Sequence, residues 1–277
     1  MAYETSMPLS DDAVARYQTD GAICIRGAFD AAWIERLHGA IDADMAAPGP
    51  MVRINTPAGA PGLFFVDFQL WQRHAACRDF VFESPAAGIA ARLMGSAGVV
   101  YYHDHLLVKE PGTAERTPWH HDQPYYPIDG AQIVSFWLPL DPVARDTSVE
   151  YVRGSHRWGR WFRPKFFRQG GVDLKVADDR FEDMIDIDAE RGDHEFLSWD
   201  MAPGDVVAFH ALTVHGAPGN RSTTTRRRAW ATRWCGDDAR YAARSGQISP
   251  PIEGHGLRPG DPIECATFPR VLPRAGA

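Results

Sequence analysis

Two histidines, a carboxylate and three aromatic rings lie within the nine positions from Pro118 to Tyr126 (Pro-Trp-His-His-Asp-Gln-Pro-Tyr-Tyr). Alternate side chains of a β-strand share a face, so a strand here would direct His120 and Asp122 to one side and His121 to the other. A histidine and a carboxylate on one face are two of the three ligands of a 2-His-1-carboxylate site. Such a site binds iron(II) and leaves coordination positions open. The pattern therefore predicts a metal site that needs one more histidine.

His215 is the favoured third ligand. It follows a predicted strand, Val206 to His210, and precedes a glycine-rich turn, which is where a rigid scaffold presents functional side chains. His210 is the alternative, but its alternation with Val206 and Ala208 is typical of a packed strand residue.

A second cluster of possible metal ligands lies earlier in the chain. His103 and His105 would share a strand face, and Glu110 follows five positions later, as in the ligand set of cupins. Glu110, however, precedes Pro111-Gly112 and is expected in a turn. A cupin-type metalloenzyme therefore remains the alternative interpretation of the metal chemistry.

The segment from Arg226 to Trp234 reads as a strand that begins with three arginines. Arg227 would share a face with two alanines, which leaves room for a carboxylate that a guanidinium can bind through two hydrogen bonds. Arg226 and Arg228 fit a solvated basic run. Arg227 is therefore the candidate anion anchor.

Composition narrows the class of protein. The chain has 277 residues, 44% of them hydrophobic and 23% charged, and a formal net charge of −7. This balance disfavours nucleic acid or an anionic membrane as a partner and favours a small-molecule substrate. No apolar run approaches a membrane span, the N-terminus lacks signal-peptide features, and four cysteines are widely spaced. We therefore expect a cytoplasmic protein with reduced thiols.

Helical patterns come first and many short strand patterns follow, which predicts an α+β, mainly β chain with a jelly-roll core. Ser10 and Asp30 are expected to cap the first two helices. We predict a single domain, 1–277, with three parts. These are helical support (1–98), a jelly-roll core (99–235) with a lid-like insertion (159–193), and a C-terminal wrap (236–277).

In this order of motifs the chain resembles the phytanoyl-CoA dioxygenase family of iron(II)- and 2-oxoglutarate-dependent oxygenases. The similarity covers nearly the whole chain and rests on an ordered set of short motifs: Asp20–Gly27, Lys109–Gly112, Pro118–Asp122, Val134–Asp141, Arg153–Gly159, Pro203–Asp205, His215-Gly216, Asn220–Ser222 and Arg227–Ala229.

The resemblance implies a double-stranded β-helix in which His120, Asp122 and His215 bind iron(II) and Arg227 holds 2-oxoglutarate. The family's spacing from the distal histidine would also allow Arg226 as this anchor, whereas its Arg-x-Ala motif favours Arg227. It implies O2 as co-substrate and ascorbate as a supporting reductant. Further candidates are Trp137 and Lys109 for the cosubstrate pocket, and Gln123 and Tyr125 for the substrate.

The implied reaction is hydroxylation of an aliphatic C–H bond of a small metabolite, with release of succinate and CO2. The retained carboxylate of Asp122 argues against halogenation, since related halogenases replace it by a small residue. Where the family often has Asn-Gly-x-Leu, this chain has Asp146-Thr-Ser-Val-Glu150, so no substrate carries over. A non-catalytic jelly-roll binding protein is the alternative from another functional class.

Overall fold

Two antiparallel sheets form the frame of the molecule. In a computed structural model, residues 9–165, 179–244 and 248–273 are described. The strands are β1 (Ala22–Ile25), β2 (Arg53–Ile54), β3 (Phe64–Phe68), β4 (Val99–Lys109), β5 (Thr117–His120), β6 (Ile128–Asp129), β7 (Ile133–Pro139), β8 (Glu150–Val152), β9 (Trp161–Phe162), β10 (Phe181–Glu182), β11 (Phe196–Leu197), β12 (Val206–His210), β13 (His215–Ala217), β14 (Arg227–Cys235), β15 (Arg240–Tyr241) and β16 (Arg270–Leu272).

The major sheet has eight strands, in the order β1-β12-β7-β14-β4-β3-β2, with β16 also paired to β4. The minor sheet has four, in the order β11-β8-β13-β5. Tyr151 of the minor sheet packs against Phe209 of the major sheet, with 5.0 Å between ring centroids. The two sheets therefore face each other, which confirms the predicted mainly-β jelly roll.

The described residues form five α-helices: α1 (Asp11–Asp20), α2 (Ala31–Ala46), α3 (Leu70–Arg73), α4 (Ala75–Glu83) and α5 (Ala86–Met94). The predicted caps form, since Ser10 Oγ accepts from Ala13 N at 3.1 Å and Asp30 Oδ1 from Trp33 N at 3.0 Å. Gly21 ends α1 at φ +83°, and a Cβ there would meet the side chains of His156 and Thr213. None of the described helices has the length and apolarity needed to cross a membrane.

The helices cover the outer face of the major sheet. Strand alternation sends Phe136, Trp230 and Trp234 outward, where they join α2, α4 and α5 in the largest apolar cluster. The same alternation sends Ser135, Trp137, Arg227 and Arg233 inward, toward the minor sheet. One face of the sheet therefore builds the core, and the other is left for polar side chains.

Segments on both sides of the predicted core, 99–235, also enter the major sheet. Residues 1–98 also contribute β1, β2 and β3 to the major sheet, and residues 236–277 contribute β16. These segments therefore form part of the sheet itself. In the insertion, Trp161–Phe162 and Phe181–Glu182 form a parallel pair, while 166–178 of the predicted lid lie outside the described residues.

The helical layer gives a test of stability. Leu37 of α2 is fully buried in the outer cluster, so Leu37→Ala should lower the free energy of unfolding by about 2–5 kcal/mol. Glu35→Ala, an exposed change on the same helix, should stay within about 0.5 kcal/mol. Urea denaturation of both variants measures the difference, and equal losses would contradict the packing described here.

Candidate metal centre

Three buried side chains meet between the sheets. His120 ends β5, His215 begins β13, and the two residues are paired across the minor sheet with ring centroids 4.2 Å apart. Asp122 Oδ1 lies 3.7 Å from His120 Nε2 and 3.8 Å from His215 Nε2. The three ligand atoms lie within 4.8 Å of one another, and no other such group occurs among the described residues. We call these three residues the metal triad.

The backbone reaches this arrangement differently from the predicted strand. β5 stops at His120, and Asp122 has helical angles (φ −72°, ψ −43°) where it starts a 3-10 turn, Gln123–Tyr125. Strand alternation is therefore the wrong reason for the shared direction of His120 and Asp122. His121 does point away, and its Nε2 accepts a hydrogen bond from Phe162 N at 2.8 Å.

Backbone carbonyls orient both histidines. Nδ1 of His120 lies 2.8 Å from the carbonyl oxygen of Pro118, and Nδ1 of His215 lies 2.9 Å from that of Thr213. A carbonyl only accepts, so each Nδ1 carries the proton and each Nε2 keeps its lone pair. Burial lowers the pKa of His215 to about 3 and also lowers that of His120. Both imidazoles are thus neutral ligands at neutral pH.

Ser135 and Arg233 fix the carboxylate. Asp122 Oδ2 accepts from Ser135 Oγ at 2.7 Å and from Arg233 Nη2 at 3.3 Å, which leaves Oδ1 facing the histidines. Burial alone would raise the pKa of Asp122, but the positive charge of Arg233 and the hydrogen bond from Ser135 bring it below its usual range. Tyr126 in turn accepts from Arg233 Nε at 2.9 Å.

Sequence reasoning missed both supporting residues. Arg233 shares the strand face of Arg227, so the alternation that singled out Arg227 could have marked it as a second inward arginine. Ser135 carries no comparable signal, because a serine in a strand has many ordinary roles.

A second pair of charged groups lies at another part of the same cavity. Lys109 and Arg227 are register partners on β4 and β14 and are only 2% and 6% exposed. Both contact the carbonyl oxygen of Pro218, at 3.1 Å each, while Lys109 also donates to Thr117 Oγ1 and Arg227 to Thr147 O. Neither forms an ion pair within the described part of the chain. We call this pair the cationic pole.

Burial without a counter-charge is costly for both groups. It lowers the pKa of Lys109, with the charge of Arg227 adding to the effect, and lowers the pKa of Arg227 to about 10. A bound anion would offset this cost, so the pole has the chemistry of an anion site.

The alternative arginine lies outside the cavity. Arg226 is half-exposed and forms an ion pair with Glu110 at 2.7 Å. Glu110 is also the carboxylate of the possible cupin-type ligand set, so this ion pair holds both side chains outside the cavity. His103 and His105 do line the cavity, but Glu110 does not join them. His210 bonds to Ala131 O at 2.9 Å, away from the metal triad.

Of the remaining predicted pocket residues, two line the cavity and one does not. Trp137 and Tyr125 line the cavity, and Tyr125 Oη exchanges hydrogen bonds with the backbone of Lys165. Gln123 does not face substrate as predicted. It is fully buried and donates from Nε2 to the carbonyls of Ile128 and Gly130, because the 3-10 turn rotates it away from the cavity.

These residues enclose one cavity of about 560 Å³ between the sheets. It contains the metal triad, the cationic pole and a wall of aromatic and aliphatic side chains. That volume fits a small metabolite together with a cosubstrate. The donor set fits a divalent iron, and the unpaired buried cations fit a dicarboxylate.

The family model for phytanoyl-CoA dioxygenase matches residues 17–229. The chain belongs to the phytanoyl-CoA dioxygenase family. It is 22% identical over 242 residues to the multifunctional dioxygenase prhA of Penicillium brasilianum, covering 80% of this chain and 71% of that protein. It is 25% identical over 167 residues to human peroxisomal phytanoyl-CoA dioxygenase, covering 56% of this chain but only 45% of the human protein.

The similarity to solved structures covers nearly the whole chain. The non-heme alpha ketoglutarate dependent carbocyclase SnoK from nogalamycin biosynthesis is 27% identical, with a TM-score of 0.72 and coverage of 95% of this chain and 96% of that one. The epimerase SnoN, solved with Fe3+, alpha ketoglutarate and nogalamycin RO, is 20% identical, with a TM-score of 0.72 and coverage of 93% and 96%. The SnoN likeness shows the shared fold.

The support of Asp122 can be tested by metal binding. Ser135→Ala removes one of two donors to Oδ2 and should weaken Co(II) binding about 10–100-fold, because partners of metal ligands contribute that much. Ser198→Ala makes the same chemical change at a serine outside the cavity and should leave binding unchanged. Calorimetric titration compares the two, and equal affinities would show that Ser135 does not position the ligand.

Proposed function

We propose that the protein is an iron(II)- and 2-oxoglutarate-dependent oxygenase that hydroxylates an aliphatic C–H bond of a small molecule. The observation that carries this proposal is the presence, in one cavity, of the metal triad and of two buried cations without a carboxylate partner. Family membership supports the same chemistry.

The triad would hold the ion and the pole would orient the cosubstrate. Three protein ligands leave coordination positions for a chelating 2-oxo acid and for O2. The distal carboxylate of 2-oxoglutarate would neutralise Arg227 and Lys109, and Trp137 would form the neighbouring wall. When bound, iron with 2-oxoglutarate and O2 supplies the oxidation, and succinate and CO2 leave.

The protein's own contribution is to position and to exclude water. Both sheets and the helical layer bury the triad, so the reacting groups are held in a low-dielectric site by fixed hydrogen bonds. The carboxylate of Asp122 occupies the position that a halogenase would leave open, which favours hydroxylation over halogenation. SnoK and SnoN are named for a carbocyclization and an epimerisation, so product analysis must accompany any turnover assay.

An anaerobic titration tests the cofactors. Iron(II) plus 2-oxoglutarate should produce a weak metal-to-ligand charge-transfer band in the visible region, and His120→Ala should lose it. No band in the wild-type protein would favour the cupin-type alternative. A band with no succinate release from any metabolite in a broad panel would favour the binding-protein alternative.

The ligand assignment has its own test. Asp122→Ala and His215→Ala should each abolish iron-dependent succinate formation, because each removes one of three protein ligands. His210→Ala is the matched control from the neighbouring strand and should keep turnover. Full activity in either ligand variant would show that the assignment is wrong.

The two neighbouring arginines provide a matched pair. Arg227→Ala removes a buried charged donor and should raise the apparent KM for 2-oxoglutarate about 10–100-fold, since such hydrogen bonds contribute about 1.5–3 kcal/mol. Arg226→Ala removes an outward arginine of equal charge and should change KM less than about threefold. An effect confined to Arg226→Ala would move the anchor by one residue.

A further inference from the structure

The cavity is far more basic than the protein that surrounds it. Among the described residues, five Lys or Arg side chains and one carboxylate, that of Asp122, line it, although the whole chain carries a net charge of −7. A cavity lined by positive charges has a positive electrostatic potential, which raises the local concentration of anions. The lining cations are Arg53, Lys109, Lys165, Arg227 and Arg233.

Three of these cations have a role in the proposed function. Arg233 donates to Asp122, and Lys109 with Arg227 forms the cationic pole for 2-oxoglutarate. Arg53 does neither. Its side chain forms no hydrogen bond or ion pair with any part of the chain that the structure describes, and burial lowers its pKa.

Arg53 is the register partner of Val66, which in turn pairs with Leu107 of β4. Its guanidinium lies 5.5 Å above the ring of Phe68, which is the register partner of His105 and stacks on it at 4.2 Å. β2 lies two strands from β4 and three strands from β14 in the major sheet. At the usual strand spacing of about 4.8 Å, the backbone of Arg53 is therefore roughly 10 Å or more from those of Lys109 and Arg227.

Apolar side chains surround this arginine. The same region of the cavity is lined by Ile54, Val66, Phe68 and Leu107, with Pro250 also in the lining. Arg53 stands on β2, at the edge of the major sheet, and is half-buried, so its head group is accessible from the cavity. An apolar wall with one unpaired cation matches a molecule that has an apolar body and one anionic oxygen group.

We propose that the substrate is a small molecule with an apolar body and an anionic oxygen group (carboxylate, sulfate or phosphate) that Arg53 binds. The inference rests on the proposed function and deepens it, since it names the substrate class of the same cavity. A guanidinium that already stacks on an aromatic ring is held in place, so little side-chain freedom is lost when it binds an anion.

The test uses the full chain with Co(II) and saturating 2-oxoglutarate under anaerobic conditions, so that no probe can occupy the cationic pole. The probes are phenylalkyl carboxylates from benzoate to 6-phenylhexanoate, each paired with its neutral amide. Calorimetry should show the best carboxylate binding about 10–100-fold more tightly than its amide, the range expected for a charge-assisted hydrogen bond.

Arg53→Gln should remove this preference, and Arg53→Lys should retain part of it. Arg78→Gln, on the exposed surface of α4, makes the same charge change outside the cavity and should keep the full preference. Lys165→Met, measured in the same way, gives the contribution of Lys165, which also lines the cavity, to the preference for the carboxylate over the amide.

The outcomes separate the two proposals. If the Co(II) and 2-oxoglutarate complex does not form, the proposed function fails, and this inference fails with it. If the complex forms but no carboxylate binds more tightly than its amide, only this inference is overturned. A preference that survives Arg53→Gln and disappears in Lys165→Met would also overturn the assignment to Arg53.

Discussion

The ion pair between Asp122 and Arg233 is the interaction on which the site depends. A carboxylate this deeply buried would ordinarily be protonated, because burial disfavours the charged form. The guanidinium of Arg233 and the hydroxyl of Ser135 keep it charged, and both act on Oδ2. The other oxygen is therefore left as the ligand that faces the two histidines. Because Arg233 and Ser135 come from adjacent strands of the major sheet, the sheet itself sets the direction of the carboxylate.

The two faces of the major sheet divide the work of the protein. The outer face buries large apolar side chains under helices and supplies the packing that stabilises the fold. The inner face carries the polar and charged side chains that a functional site needs, several of them at a cost in desolvation. This cost is offset where partners exist, as for Asp122 and Arg233. Where no ion-pair partner is present among the described residues, as for Lys109, Arg227 and Arg53, our proposals place bound anions.

Under both proposals, anion binding is the common function of the charged side chains in the cavity. The cationic pole lies on the adjacent strands β4 and β14, and Arg53 lies on the edge strand β2, in register with Val66. Under the proposed function, a dicarboxylate cosubstrate would take the pole and the substrate would take the outer arginine. An acidic protein surface does not oppose this arrangement, since buried charges are screened far less than exposed ones.

The sequence by itself determined the mainly-β jelly-roll class, the helix caps at Ser10 and Asp30, and the inward face of β14, because these follow from local periodicity and capping chemistry. It also selected the histidines and aspartate that the structure brings together.

Tertiary structure decided the rest. The strand ends at His120, and a 3-10 turn follows where a continued strand was expected. This turn sets the direction of Asp122 and points Gln123 away from the cavity. Arg226 and Arg227 are indistinguishable by composition, and only sheet packing places one outside and the other inside. Ser135 and Arg53 gave no local signal, because their importance comes from partners, or a lack of partners, that are distant in the sequence.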